Sequence, residues 1–244
     1  MEISLSGKRV LITGAGRGIG RALAIRVVAC GGHVIALSRT EEHLDTLKDE
    51  CPSVETVTCD LSDWEATREA VEAIEPVDCL VNNAGILILE PFLEATKEAL
   101  DTMFDVNVKG AFNVAQVIAR GMVERGQGGV IINMSSELGL RTVQGGSLYC
   151  ASKAALDHLT RVMTLELGPK GIRVNCVNPT VVETDMTKSV REDQAMADWI
   201  LTRIPMGRFA TTEDVVSATM FLLSDHAALI TGASLPVDGG ALAR

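Results

Sequence analysis

Short apolar runs alternate with longer amphipathic stretches along the whole 244-residue chain, and the first run leads straight into a glycine-rich loop. No Pro/Gly/Ser-rich linker, internal repeat or low-complexity segment divides it. These observations predict an α/β fold: a doubly wound parallel sheet of about seven strands with helices on both faces, in a single domain over 1–244. The composition, 47% hydrophobic and 22% charged, is that of an ordinary globular chain and excludes a disordered or fibrous one.

The elements follow in order. Strand one is expected at 9–13, and an apolar helix at 18–30 follows the glycine loop. Strand two covers 33–37. The helix at 41–50 has Thr40 as its cap and Glu41 and Glu42 in its first turn, where carboxylates suit the positive end of the helix dipole. Strand three, 55–58, precedes a helix at 64–74 that starts after Ser62 and Asp63. Strand four, 79–82, leads to a long helix at 97–125, and strand five, 130–134, to one at 148–167. Strand six is expected at 173–177, followed by a helix at 213–223 capped by Thr212 ahead of Glu213 and Asp214, and by a last strand at 234–237.

Several function classes are excluded at this level. The longest run free of charge and histidine, such as Cys79 to Leu89, falls far short of the roughly 20 apolar residues a spanning helix needs. A net charge of −10 argues against nucleic acid, whose phosphates call for clustered Lys and Arg. The six cysteines are scattered without a CxxC pair and no signal-peptide pattern opens the chain, which fits a reducing cytoplasm. His33, His43, His158 and His226 show no metal-ligand spacing, so no metal is expected.

The loop Thr13-Gly14-Ala15-Gly16-Arg17-Gly18-Ile19-Gly20 joins a strand to a helix. Glycines let the backbone turn sharply and approach a pyrophosphate, which then meets the free N–H groups at the helix N-terminus. This is a Rossmann-type dinucleotide site. At the end of strand two an NAD site usually carries an acid for the ribose 2′-hydroxyl, whereas this chain reads Ser38-Arg39-Thr40. Arg39 offers a planar fork for a 2′-phosphate and Arg17 reaches it from the glycine loop, so NADPH/NADP+ is the expected cofactor. The alternative leaves Arg39 solvated and gives the ribose to Glu41 or Glu42. Asp60, with Leu61 beyond it, closes strand three where such sheets bind ligands; it suits either the adenine amino group or a turn.

Tyr149, the only tyrosine, precedes Lys153 by four residues, so phenol and ammonium share a helix face. A neighbouring cation favours phenolate, and lowering a phenol pKa from near 10 by about three units takes about 4 kcal/mol. Tyr149 then serves as a general acid or base near neutral pH. Ser136 ends strand five, where its hydroxyl can polarise a carbonyl. Asn107, in the long helix, either joins these groups or satisfies backbone.

Together, Thr13-Gly14 with Gly18 and Gly20, Asn82-Asn83-Ala84-Gly85, Asn107, Ser136, Tyr149 with Lys153, and Asn178-Pro179 resemble the short-chain dehydrogenase/reductase family over essentially the whole chain. The resemblance implies that Ser136 orients the carbonyl and Tyr149 protonates the forming alkoxide. It implies that Lys153 binds the nicotinamide ribose and lowers the tyrosine pKa, and that Asn107 holds a water of the proton relay. Asn83, Ala84 and Gly85 would line the cofactor, and Pro179, Val182 and Thr184 the nicotinamide end. The stretches at 60–67, 166–169, 177–182 and 203–210 are similar to the NADPH-using carbonyl reductases of that family, which implies small α-dicarbonyls and ketoses such as L-xylulose as substrates. Glu137, Val143, Gly146 and Arg191 are the candidate substrate contacts, with Gly146 leaving room in the pocket and Arg191 either a lid cation or solvated. A lid at 183–199 bearing Lys188, Arg191, Glu192, Asp193 and Asp198 suits a small polar substrate, the alternative being that these charges simply face water. The rivals are a 3-oxoacyl-thioester or broad ketone reductase and a non-catalytic cofactor-sensing protein. A homotetramer through the helices at 97–125 and 148–167 is implied by the family alone.

Overall fold

A computed structural model describes residues 3–243. Seven strands form one parallel sheet: β1 (Arg9–Thr13), β2 (His33–Ser38), β3 (Glu55–Thr58), β4 (Cys79–Asn82), β5 (Gly129–Met134), β6 (Ile172–Pro179) and β7 (Ser234–Val237). Their spatial order is β3-β2-β1-β4-β5-β6-β7. The chain therefore winds outward in one direction from β1 to β3 and in the other from β4 to β7. The crevice at the carboxyl ends of β1 and β4 is the switch point where doubly wound sheets bind ligands.

Strands β1, β2, β4, β5 and β6 alternate their side chains between two cores. Val10, Ile12, Val34, Ala36, Val81 and Ile132 face α1 (Gly18–Ala29), α2 (Glu41–Glu50) and α9 (Thr212–Leu223), which contribute Leu23, Val27, Leu44, Leu47, Val216 and Met220. Leu11, Ile35, Leu37, Leu80, Ile131 and Val174 face α3 (Trp64–Glu72) and α5 (Ala111–Arg125), through Val71, Val114, Ile118 and Met122. Burying each such side chain contributes about 1.5–3 kcal/mol, so the sheet is held on both faces and its carboxyl edge is a rigid platform.

Capping departs from the expectation at two helices. Thr211, not Thr212, caps α9, in a box where its hydroxyl accepts from the Asp214 N–H at 3.3 Å and Asp214 accepts from the Thr211 N–H at 2.7 Å. A polar residue one position earlier completes the reciprocal pair with the third residue of the helix, which Thr212 cannot do. Thr40 stands at the start of α2 with no capping bond from its side chain. Asp63 does cap α3, accepting from the Ala66 N–H at 3.0 Å.

The long helix expected at 97–125 is broken. It divides into α4 (Lys97–Phe104), a π-helical segment at Asp105–Gly110, and α5. Asn107 lies in the widened segment, and its side chain holds Ile86 from both sides, accepting its N–H at 2.8 Å and donating to its carbonyl at 3.0 Å. Apolar periodicity does not register such a break, because the bond from Asn107 reaches a loop 21 residues earlier. The remaining helices are α6 (Ser147–Leu167) and, in the region expected as a lid, α7 (Lys188–Glu192) and α8 (Gln194–Leu201).

Candidate active site

One cleft of about 450 Å³ runs along the carboxyl edge of the sheet from the glycine loop to the lid. Behind the lining the buried Thr13 ends β1, and its hydroxyl accepts from the N–H groups of Asn83 and Ala84, each at 3.0 Å. Asn83 returns bonds to the carbonyls of Thr13 and Gly14, at 3.0 and 3.2 Å. Gly14 is required here: its φ is +65°, and a Cβ would lie 2.8 Å from the Ala84 Cα. Gly20 is required too, since a Cβ would meet the Gly14 carbonyl oxygen at 2.4 Å. The loop is thus locked against the segment after β4. Gly14, Arg17 and Ile19 line the cleft, and Arg17 stands at the N-terminus of α1 with no capping bond from its side chain.

Ser38, Arg39, Thr40 and His43 form the far end, with Asp60 and Leu61 opposite. Glu41 and Glu42 lie outside the cleft lining, in the first turn of α2, which leaves Arg39 as the charged group at the end of β2. Its guanidinium is largely exposed and stands 3.8 Å from Asp60 Oδ2. Asp60 lines the cleft and also closes a turn, its Oδ1 accepting from the Ser62 N–H and hydroxyl at 3.0 and 2.8 Å.

Ser136, Tyr149 and Lys153 meet at the other end. The Ser136 oxygen accepts from the Leu138 N–H at 3.1 Å, and its O–H donates to the Pro179 carbonyl in a long bond of 3.5 Å that a substrate oxygen can replace. Lys153 is buried, donates to the Met134 carbonyl at 2.8 Å, and places its ammonium 5.7 Å from the centre of the Tyr149 ring. Burial outweighs the other influences on both groups. It raises the Tyr149 phenol to about 12, opposed by the Ser136 hydroxyl, and lowers the Lys153 ammonium to about 8, opposed by Cys176 and Asp157. The expected fall of the tyrosine pKa through Lys153 is therefore absent from this arrangement, since the ammonium spends its bond on Met134 rather than on the phenol. Asn107 also donates to the Ser152 hydroxyl at 3.1 Å, so its side chain ties Ile86 to α6.

The candidate substrate contacts divide. Glu137 and Val143 line the cleft, as do Gly85, Pro179, Val182 and Thr184. Gly146 does not: a Cβ there would strike Val143 at 2.6 Å, so the space is filled, not open. Arg191 is also outside the lining and is half-buried. Its guanidinium donates to the Thr184 carbonyl at 3.1 Å and the Thr187 hydroxyl at 3.3 Å, holding the turn that starts the lid. In the lid the other charges named above face water. Lys188, Glu192, Asp193 and Asp198 lie outside the cleft lining, while Met186, Val190, Met196, Trp199 and Ile200 line it together with Asp185 and Thr187 from the turn before α7. Helical spacing on α7 and α8 separates the two sets, and neither helix is long enough for its periodicity to be read in advance. Arg141, Thr180 and His43 also line the cleft and went unnoticed in the sequence as site residues. Only Arg141 left a signal, a cation four residues after Glu137.

Residues 14–241 match the family profile described as enoyl-(acyl carrier protein) reductase. The chain belongs to the short-chain dehydrogenase/reductase family. It is 52% identical to the L-xylulose reductase of Mesocricetus auratus, with 99% of each chain covered. It is 47% identical to carbonyl reductase (NADPH) 2 of Sus scrofa, with 100% of each covered. Among solved structures it is similar to a gluconate 5-dehydrogenase from Burkholderia cenocepacia J2315 in complex with NADP and tartrate, with a TM-score of 0.95 and 32% identity over 100% of this chain and 98% of that one.

Proposed function

We propose that the chain is a single-domain, NADPH-dependent reductase of small carbonyl compounds, α-dicarbonyls and ketoses of the L-xylulose type. The observation that carries this reading is one cleft with a glycine loop and Arg39 at one end and Ser136, Tyr149 and Lys153 at the other. The cleft residues fit the cofactor. The Gly14 and Gly20 contacts leave a bare backbone cradle before an uncapped helix N-terminus, and Arg39 supplies a fork for a 2′-phosphate. Ser38, Thr40, Asp60, Leu61, Asn83, Ala84, Gly85, Pro179, Val182 and Thr184 would complete its contacts.

Bound NADPH would supply the hydride that adds to the carbonyl carbon, leaving NADP+. The Ser136 O–H donates to the carbonyl oxygen and builds its partial charge toward an alkoxide. Tyr149 transfers its proton to that oxygen, giving the alcohol and a phenolate. Lys153, with its ammonium 5.7 Å from the tyrosine ring and a pKa about 8, is a proton source near neutrality. A phenol held at about 12 begins the reductive reaction protonated, as that direction requires. Asn107 keeps Ile86 and Ser152 in register behind these groups.

Met186, Val190, Met196 and Trp199, which line the cleft beside Asp185, favour a second reading, a broad-specificity ketone reductase. NADPH oxidation by the purified protein decides between them. Dominant kcat/KM for diacetyl and L-xylulose supports the first reading, preference for an aromatic ketone or an acetoacetyl thioester supports the second, and turnover of none of them defeats both.

The protein is further read as a cytoplasmic homotetramer. Phe112 and Val123 on α5, with Val162 and Leu165 on α6, are exposed apolar residues on the helices expected at the interface. Six free cysteines suit a reducing compartment. Sedimentation at one protomer mass would reject the tetramer.

A further inference from the structure

The wall of the cleft beside Ser136 carries a buried ion pair that the chemistry above leaves unused. Glu137 is 2% exposed. Its carboxylate accepts from Arg141 Nε at 3.0 Å, from Arg141 Nη2 at 2.7 Å and from the Thr180 hydroxyl at 2.8 Å. A carboxylate withdrawn from water is tolerated only with such a set of charge-assisted partners. The turn at Glu137–Gly139 brings the two ends of the pair together, the Glu137 carbonyl accepting from the Arg141 N–H at 2.9 Å. Bidentate pairing fixes one edge of the guanidinium. Arg141 Nη1 has no hydrogen-bond partner among the described residues, although Arg141 lines the cleft and keeps 25% of its side chain exposed.

The surroundings limit what that free donor can serve. Ile86, Leu138, Val143, Met186, Met196 and Trp199 make this end of the cleft largely apolar. Glu137 cancels the guanidinium charge, so the pair presents an N–H donor without presenting a net cation. A carboxylate gains little from such a group, whereas a neutral oxygen gains a hydrogen bond from a charged, pre-oriented donor.

Resting on the reading of the preceding section, we propose that Arg141, held by Glu137, recognises the oxygen on the carbon next to the reacting carbonyl. In an α-dicarbonyl that oxygen is the second C=O, and in a ketose it is the adjacent hydroxyl. It is the feature these two substrate classes share. Ser136 and Tyr149 take one oxygen of the pair and Arg141 takes the other.

The test compares pentane-2,3-dione with pentan-2-one, which differ only in that oxygen, in the native protein and in Arg141→Met, with L-xylulose in parallel. Arg141→Met is expected to lose about 10–100-fold in kcat/KM toward the dione and the ketose, mainly through KM, and less than about threefold toward pentan-2-one. Arg141→Lys, which keeps the charge without the fork, should lose the dione preference to a similar degree. An equal loss on both pentanone substrates would make Arg141 a brace for the Ser136 turn and overturn the proposal. An undiminished dione preference in both variants would overturn it as well. Failure of the native protein to reduce any of the three would instead bring down the reading on which the proposal rests.

Discussion

Asp157 holds the side-chain amide of Asn178 through both carboxylate oxygens, at 3.0 and 3.1 Å, and the same amide nitrogen donates to the Ser136 main-chain carbonyl at 2.9 Å. Asp157 is buried, one helical turn beyond Lys153, and has no ion-pair partner among the described residues. Its charge supports the Lys153 ammonium against desolvation. Removing it in Asp157→Asn should therefore lower the Lys153 pKa below its value of about 8. The alkaline limb of the kcat/KM profile for reduction should move to lower pH, and kcat/KM at pH 7 should fall by about tenfold. A loss of rate with an unmoved limb would show that Asp157 acts only through Asn178.

Tyr149→Phe should reduce turnover by about a thousandfold or more while NADPH binding, followed by cofactor fluorescence, changes little. The two directions of the native reaction should also differ in pH dependence. Reduction needs the phenol, whose pKa is raised to about 12, so the tyrosine itself imposes no fall in rate through neutral pH. Oxidation needs the phenolate, so its rate should climb with pH up to that value. An oxidation rate independent of pH between 6 and 10 would remove Tyr149 from the base role.

Arg39→Asp should shift the NADPH-to-NADH ratio of kcat/KM toward NADH by about a hundredfold. The existing Arg39–Asp60 contact, at 3.8 Å between exposed groups, is worth less than about 1 kcal/mol, so the guanidinium gives up little when it turns to a phosphate. An unchanged ratio would assign the 2′-phosphate elsewhere.

Thr211→Ala should destabilise the fold by about 1 kcal/mol, read as a Tm about 2–4 °C lower, through loss of the α9 cap. Asp214 in the same box is held well below the usual carboxylate range by Arg208, with Thr211 adding to it. A carboxyl with its folded pKa depressed stabilises above its unfolded pKa and loses that contribution as pH falls through the folded value. Asp214→Asn should therefore cost most at neutral pH and progressively less below pH 4 in urea titrations.

The sheet was legible because each strand is a short apolar run between turn residues, and parallel pairing needs no more information than that order. The glycine loop, Arg39, Ser136, Tyr149 and Lys153 were legible because their chemistry is local to a strand end or one helix face. What escaped depends on tertiary neighbours. Gly146 reads as open space until Val143 fills it, Arg191 as a lid cation or a solvated one until Thr184 and Thr187 engage it, and the lid charges as facing either substrate or water until α7 and α8 turn them outward. The titration of Tyr149 escaped for the same reason, since desolvation is set by everything packed around it.

The π-helical segment at Asp105–Gly110 makes this rod sensitive to its length in a way that no single side chain reveals. Regular pairing would resume if one residue were deleted there, and everything on the amino-terminal side would then swing by about 100° relative to α5. Asn107 would leave Ile86, and α4, which packs against α6 through Met103 and Leu148, would present another face. A substitution in the segment exchanges one group for another, whereas a deletion re-indexes a whole helix against the site. Variants of this chain that stay active should therefore keep the residue count between Thr96 and Gly126 more strictly than they keep the residues themselves.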